Sequence, residues 1–274
     1  MLKKLIKHEW KDTWAVGTVC NIIVFVLAII GVVLFSMDIW EESAMRSDSA
    51  AGFTAVTLVV YFMMCVWGII AACFVVRYYF FWRYYKNLFT DHGYLMNTLP
   101  VKSTELINSK LIVATIWQYI TYIVVAVSIV ALVFSMVGGL TELSFGDMLD
   151  ELYDLRFDWE EIGKALPMII CSILYVLILP IVQLLLMYAA VCIGQMAKKG
   201  KFLISVLILI GFGIVAQVIA TYATLPFALM MDEVTPGIMI QNIESVVMLV
   251  VVIGAGVGLY FLNKYFLEKK LNLE

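Results

Sequence analysis

Charge is what this chain has least of. Only 14% of its 274 residues are Asp, Glu, Lys or Arg, where soluble domains carry about 25%, so an ordinary water-exposed globular surface is excluded. Histidine occurs twice, as His8 and His92. Both stand in polar stretches, and no His/Cys metal cluster is legible. The five cysteines (Cys20, Cys65, Cys73, Cys171 and Cys192) all lie inside apolar runs and none forms a C-x-x-C pair, which points to buried thiols rather than a disulfide framework. No Ser/His/Asp set and no carboxylate pair occurs within an apolar run, so the chain is expected to be no enzyme. No cleavable signal peptide is expected: the first apolar run is longer than a signal-peptide core and reads as a retained span, despite a faint cleavage-like Ser49-Ala50-Ala51. No internal repeat or low-complexity segment stands out.

What is present is apolar residue, at 64% of the chain. It falls into six runs, at 14–36, 53–76, 111–137, 167–196, 202–231 and 243–263, each long enough for a ~30 Å hydrocarbon core at about 1.5 Å per residue. The expectation is an all-α, polytopic membrane bundle of six transmembrane helices forming one domain over 1–274. The connecting segments carry the orientation. Of the 18 Lys and Arg residues, 15 lie in the N-terminus, residues 77–110, residues 197–201 and the tail from Lys264, and three in the alternate loops. Short loops with that bias face the cytoplasm. Both termini are therefore expected there, which requires an even number of spans.

Residues 77–110 form the long polar segment on the basic side. Arg83, Lys86, Asn87, Thr90 and Asp91 recur at helical spacing on one face, and Tyr78, Phe81, Trp82, Tyr85, Leu88 and Phe89 fill the other. Gly93 can end that helix in a left-handed cap. The short apolar piece Tyr94-Leu95-Met96 is stopped at Leu99-Pro100, and Ser103 can cap a new helix with Glu105 in its first turn. The pattern is a rigid handle for another protein to grip. Residues 1–13 are amphipathic, with Leu2, Leu5, Ile6 and Trp10 opposite Lys3, Lys4, Lys7 and Lys11. They are expected to lie in the headgroup plane, their lysines drawn to anionic lipid. The outer loop 138–166 holds eight acids against Arg156 and Lys164. Its Ser144–Asp147 and Asp158–Glu161 stretches resemble capping patterns, so two short surface helices are expected. Their acidic face is either simply solvated or attracts a cationic substrate.

Several motifs have plainer explanations. Gly194 and Gly200-Lys201 suggest a phosphate loop, but five residues rather than four separate the glycines and Phe202 stands where a hydroxyl belongs. Lys198, Lys199 and Lys201 are better read as basic-side charges. Gly254, Gly256 and Gly258 contain a G-x-x-x-G that serves close helix approach, within the bundle or between subunits. The polar residues inside the runs are Asn21, Gln118, Thr121, Gln183, Gln217 and Thr221, with Glu244 near an outer end. The first six do not ionise, which argues against a proton- or sodium-coupled carrier. Pro180 and Pro226 fall inside runs four and five and can kink them. The aromatic–basic run 77–86 reads as an aromatic belt with positive-inside charges rather than a nucleic-acid surface.

The sequences MLKKLIKHEWK at 1–11 and RYYKNLFTDHGYLMNTLPV at 83–101 resemble ABC-transporter permease subunits of the six-span exporter class found in Gram-positive bacteria. In that class the ATPase is a separate polypeptide. The resemblance implies a coupling helix over 87–102, with ATPase-docking residues Lys86, Asn87, Asp91, Gly93, Tyr94, Leu95, Pro100 and Lys102. It implies a connecting helix at the N-terminus, a second permease copy or a sister permease, and a pathway lined by spans two and five. Tyr61, Met64, Trp67, Phe212, Gln217 and Thr221 would line that pathway. With almost no charge, such a lining suits a hydrophobic or amphipathic peptide, lipid or drug rather than an inorganic ion. ATP and Mg would sit on the partner, and this chain would hold no cofactor. The expected site of action is the bacterial plasma membrane, in contact with membrane lipid and with no nucleic acid. Two rival readings remain: a membrane sensor or immunity protein that binds a peptide at its acidic outer loop without transport, and an ATP-independent channel or carrier.

Overall fold

The computed structural model describes residues 2–35, 48–89, 102–141, 146, 159–197, 199–229 and 237–269. These form six α-helices with no strand among the described residues. In chain order they are α1 (Leu2–Phe35), α2 (Asp48–Phe89), α3 (Ser103–Thr141), α4 (Trp159–Gly194), α5 (Lys201–Leu229) and α6 (Gly237–Lys269). All six are long and apolar enough to cross a membrane. The chemistry explains the choice. A segment of Leu, Ile, Val and Phe that enters hydrocarbon must satisfy every backbone N–H and C=O internally, and a helix does so.

The helices are longer than the apolar runs that seed them. The expected interfacial segment 1–13 and the first span form one uninterrupted helix of 34 residues. No break separates Lys11 from Trp14, because no Gly or Pro interrupts 1–16 and the amphipathic pattern passes directly into an apolar one. In α2, 42 residues run unbroken from Asp48 to Phe89, so the span and the first part of the polar handle are one rod. At the outer loop, Trp159 and Glu160 open α4 and continue past Pro167 into the span. The second expected surface helix is therefore the first two turns of α4. The first one falls on residues outside those described, apart from Gly146.

Two compact units divide the chain. One comprises Trp10–Tyr78 and Ile116–Arg156. In it α1 and α3 run parallel: a Cβ on Gly17 would meet the Trp117 ring at 2.5 Å, one on Gly31 would meet Leu132 at 2.4 Å, and Ser135 donates to the Val32 carbonyl at 3.0 Å. The offset between partners is about one hundred residues throughout, as two parallel rods in fixed register require. Helix α2 runs antiparallel to them, and Val24, Ala28, Ile69 and Leu132 form the buried core. At the Trp10 end of this unit Trp10 stacks on Trp117 with centroids 5.1 Å apart, and Trp14 meets Trp117 edge-on at 6.1 Å. The Trp117 indole N–H donates to Thr13 at 3.2 Å.

The other unit comprises Met1–Glu9, Tyr79–Thr115 and Phe157–Glu274. Here α4 and α6 run parallel. Gly256 sits where a Cβ would meet Val182 at 2.8 Å, and Asn263 donates to the Leu185 carbonyl at 2.9 Å. Helix α5 returns alongside α4 after a turn that takes in Gln195, Met196 and Gly200. Gly194 permits the closest approach, since its Cβ would fall 2.7 Å from the Ser205 Cα, and Gly200 adopts a φ of 65°. These two glycines are thus explained by chain reversal, with no phosphate loop needed. In the G-x-x-x-G stretch the middle glycine makes the packing contact; Gly254 and Gly258 face open space.

Candidate functional site

The most densely built polar site lies at the end of the second unit that carries the N-terminus, where α1, α2 and α3 bring three charges together. Helix α1 presents Lys3, Lys4, Lys7, His8 and Lys11 outward, as the amphipathic pattern requires, and turns Leu2, Leu5 and Ile6 inward. Glu9 shares that inward face and is 5% exposed. Its carboxylate accepts from Arg83 of α2 at 3.0 Å and from the Lys110 ammonium of α3. Tyr79 lies against Arg83 as well. Two cations around one carboxylate favour its ionised form, and each would be costly to bury alone.

Beneath this triad an aromatic and polar core ties in α4 and α6. Tyr84 and Tyr188 stack at 3.8 Å with their planes 7° apart. The Tyr84 hydroxyl lies 3.8 Å from the Cys192 sulfur, and Cys192 donates to Asn263 at 3.6 Å. Asn263 closes the network by donating to the carbonyls of Leu185 and Leu259, both at 2.9 Å. Phe81, Leu88, Leu106, Ile107, Met187, Val191 and Leu267 pack around it. At the opposite end of α4, Asn242 of α6 accepts from the Met168 amide at 3.0 Å and donates to the Lys164 carbonyl at 2.9 Å. These are the two groups that an i→i−4 helix bond would join. Pro167 disturbs the ladder at this turn, and the Asn242 amide splints it.

The sequence expectations fare unevenly here. Lys86 is exposed, with its ammonium 4.9 Å over the Trp82 ring, and Asn87 is half-buried. Lys102 is exposed, and its carbonyl accepts from the amides of Glu105 and Leu106 at 2.9 and 3.2 Å. That places the cap of α3 at Lys102, one residue before the expected Ser103. Asp91, Gly93, Tyr94, Leu95 and Pro100 lie outside the described residues. The two faces of α2 do not sort by exposure: Arg83, on the polar face, turns inward to Glu9, while Tyr78 and Trp82, on the apolar face, are exposed. The cause is the buried carboxylate, which outcompetes solvent for the guanidinium.

The expected pathway residues divide between the two units. Met64 and Trp67 are each 67% exposed on α2, with Tyr61 half-buried. On α5, Gln217 and Thr221 are exposed and Phe212 is half-buried, and Thr221 donates to the Gln217 carbonyl of its own helix at 2.9 Å. The two sets therefore form no single cluster within either unit. Among the polar span residues, Asn21 and Thr121 bond back to their own helices, at Gly17 and Trp117. The amides that bridge helices are Asn242 and Asn263, which the sequence reading did not single out. Glu9 was missed too, although its place one turn beyond Leu5 on the apolar face of α1 is a readable signal. No known family profile, curated protein or solved structure matches the chain.

Proposed function

We propose that this chain is the membrane-spanning subunit of an ATP-driven ABC exporter, working with a separate ATPase and a second permease chain to move a hydrophobic or amphipathic peptide, lipid or drug. Six helices of spanning length supply the membrane part of this reading. The observation that carries it is the Glu9 triad. Arg83 lies six residues before the end of α2 and Lys110 seven residues after the start of α3, so one buried carboxylate braces both helices that border residues 90–101. A segment clamped on both sides by charge-assisted bonds transmits force instead of dissipating it. That is the property a coupling helix over 87–102 needs. In this reading both termini and the 87–102 segment face the cytoplasm of a bacterial cell, and ATP and Mg are held by the partner.

The test is purification of the tagged chain from its native membrane, assayed for a co-purifying ATPase. A parallel variant carries Lys86→Glu, Asp91→Lys and Tyr94→Pro. An ATPase that accompanies the wild type and is lost from the variant supports the assignment. A folded, intact wild type with no ATPase overturns it, and peptide binding at the acidic outer loop becomes the reading to pursue.

A further inference from the structure

We infer that Arg77 and Tyr122 form a seat for the phosphate of an anionic lipid headgroup, an assignment that does not depend on the exporter reading. Arg77 of α2 donates from Nη2 to the Tyr122 hydroxyl of α3 at 2.5 Å, within the unit of Trp10–Tyr78 and Ile116–Arg156. Its depth is set by neighbours. Tyr122 lies five residues past Trp117, about 7 Å further along α3. Trp117 packs with Trp10 and Trp14, and tryptophans of this kind are enriched at headgroup level. On α2 itself Phe74, Val75 and Tyr78 around Arg77 are each at least half exposed. The guanidinium therefore stands at the edge of the hydrocarbon, directly after the apolar run 53–76, flanked by side chains suited to acyl chains.

A cation at the hydrocarbon edge gains from a counter-charge, and none is furnished among the described residues of its unit. Among the described residues no carboxylate pairs with Arg77. Helix α1 has no acid after Asp12, α2 has none but Asp48, and α3 has none after Glu105. By the register of α1 on α3, Tyr122 is level with Ile22, some ten residues or about 15 Å from Asp12. Asp48 and Glu105 are further still along their helices. Tyr122 is a neutral phenol: it orients the guanidinium without neutralising it, and it takes one of five N–H groups. The remaining fork has the shape that pairs with a phosphate. Tyr119, one turn back on α3, adds a second phenol nearby. A free phosphate stays in water, whereas a phospholipid brings its phosphate to this edge with its chains already in the bilayer.

The seat is tested on the full chain in bilayer discs of mixed phosphatidylglycerol and phosphatidylcholine. Retained phosphatidylglycerol is counted by native mass spectrometry after gentle extraction. Wild type is compared with Arg77→Gln, Arg77→Lys, Tyr122→Phe and, as a control for the basic edge, Lys86→Gln. Arg77→Gln should lower retention at least about fivefold. Arg77→Lys and Tyr122→Phe should fall between, since lysine keeps charge without the planar fork, and Lys86→Gln should match wild type. Excess inorganic phosphate should not displace the lipid. Retention unchanged in Arg77→Gln, an equal loss in Lys86→Gln, or displacement by inorganic phosphate would each overturn the assignment. Should Arg77→Gln fail to fold, wild-type retention in both Arg77→Lys and Tyr122→Phe overturns it equally.

Discussion

Glu9 and Arg83, 74 residues apart in sequence, meet at 3.0 Å with side chains 6% and 15% exposed. That pair, closed by Lys110, fixes α1 against α2 and α3 where all three leave their apolar runs. Glu9→Gln removes the shared anion and leaves two buried cations facing each other. The expected cost is about 3–5 kcal/mol, read as a clear drop in the apparent unfolding temperature of the purified protein. Glu9→Gln combined with Lys110→Met removes one cation as well and should recover part of that loss. Equal stability of Glu9→Gln and wild type would show that the triad holds nothing.

Gly256→Val places two methyl groups against Val182, where even a Cβ would lie at 2.8 Å. Overpacking of this kind costs about 1–3 kcal/mol. Gly254→Val and Gly258→Val meet open space and should leave the melting curve of the detergent-solubilised monomer unchanged. A destabilisation common to all three would mean that the register of α6 on α4 is different.

Asn242→Leu strips the splint from α4, leaving the Met168 amide and the Lys164 carbonyl to find each other across a turn disturbed by Pro167. A loss of about 1–3 kcal/mol should appear as faster hydrogen exchange confined to the first three turns of α4, Met168 included. Asn242→Asp keeps the acceptor for Met168 and loses the donor to Lys164, so its exchange should be intermediate.

Trp117 lies flat against Gly17, with ring atoms 2.5–2.8 Å from where a Cβ would be. Gly17→Leu therefore expels the indole from its stack on Trp10 and from its hydrogen bond to Thr13. A red shift of tryptophan emission is expected. The same substitution in a Trp117→Phe background should leave the spectrum largely unmoved.

The spans were legible because hydrocarbon imposes one rule on every residue of a run, and a sum over twenty residues is robust to individual exceptions. What escaped was decided by single side chains. Glu9 looks like one acid among lysines until α2 and α3 place cations on both sides of it. Arg83 follows the outward polar periodicity of its helix, and only the buried carboxylate reverses it. Asn242 and Asn263 bridge helices while Asn21 and Thr121 bond their own, and nothing in the flanking residues separates the two behaviours. Lys86, Asn87 and Lys102, proposed above to dock an ATPase, stand beside the local signals Gly93 and Pro100, but the inward turn of Arg83 near them is a tertiary fact.

The Glu9 clamp has a mechanical consequence. Leu2 to Glu9 is two turns of helix, a stub of about 10 Å, pinned at its far end to Arg83 and Lys110. Any displacement of the facing ends of α2 and α3 is handed to that stub, whose exposed Lys3 and Lys7 swing with it. A spin label or fluorophore at Lys3 would act as the needle of a gauge that reads the movement of two helix ends.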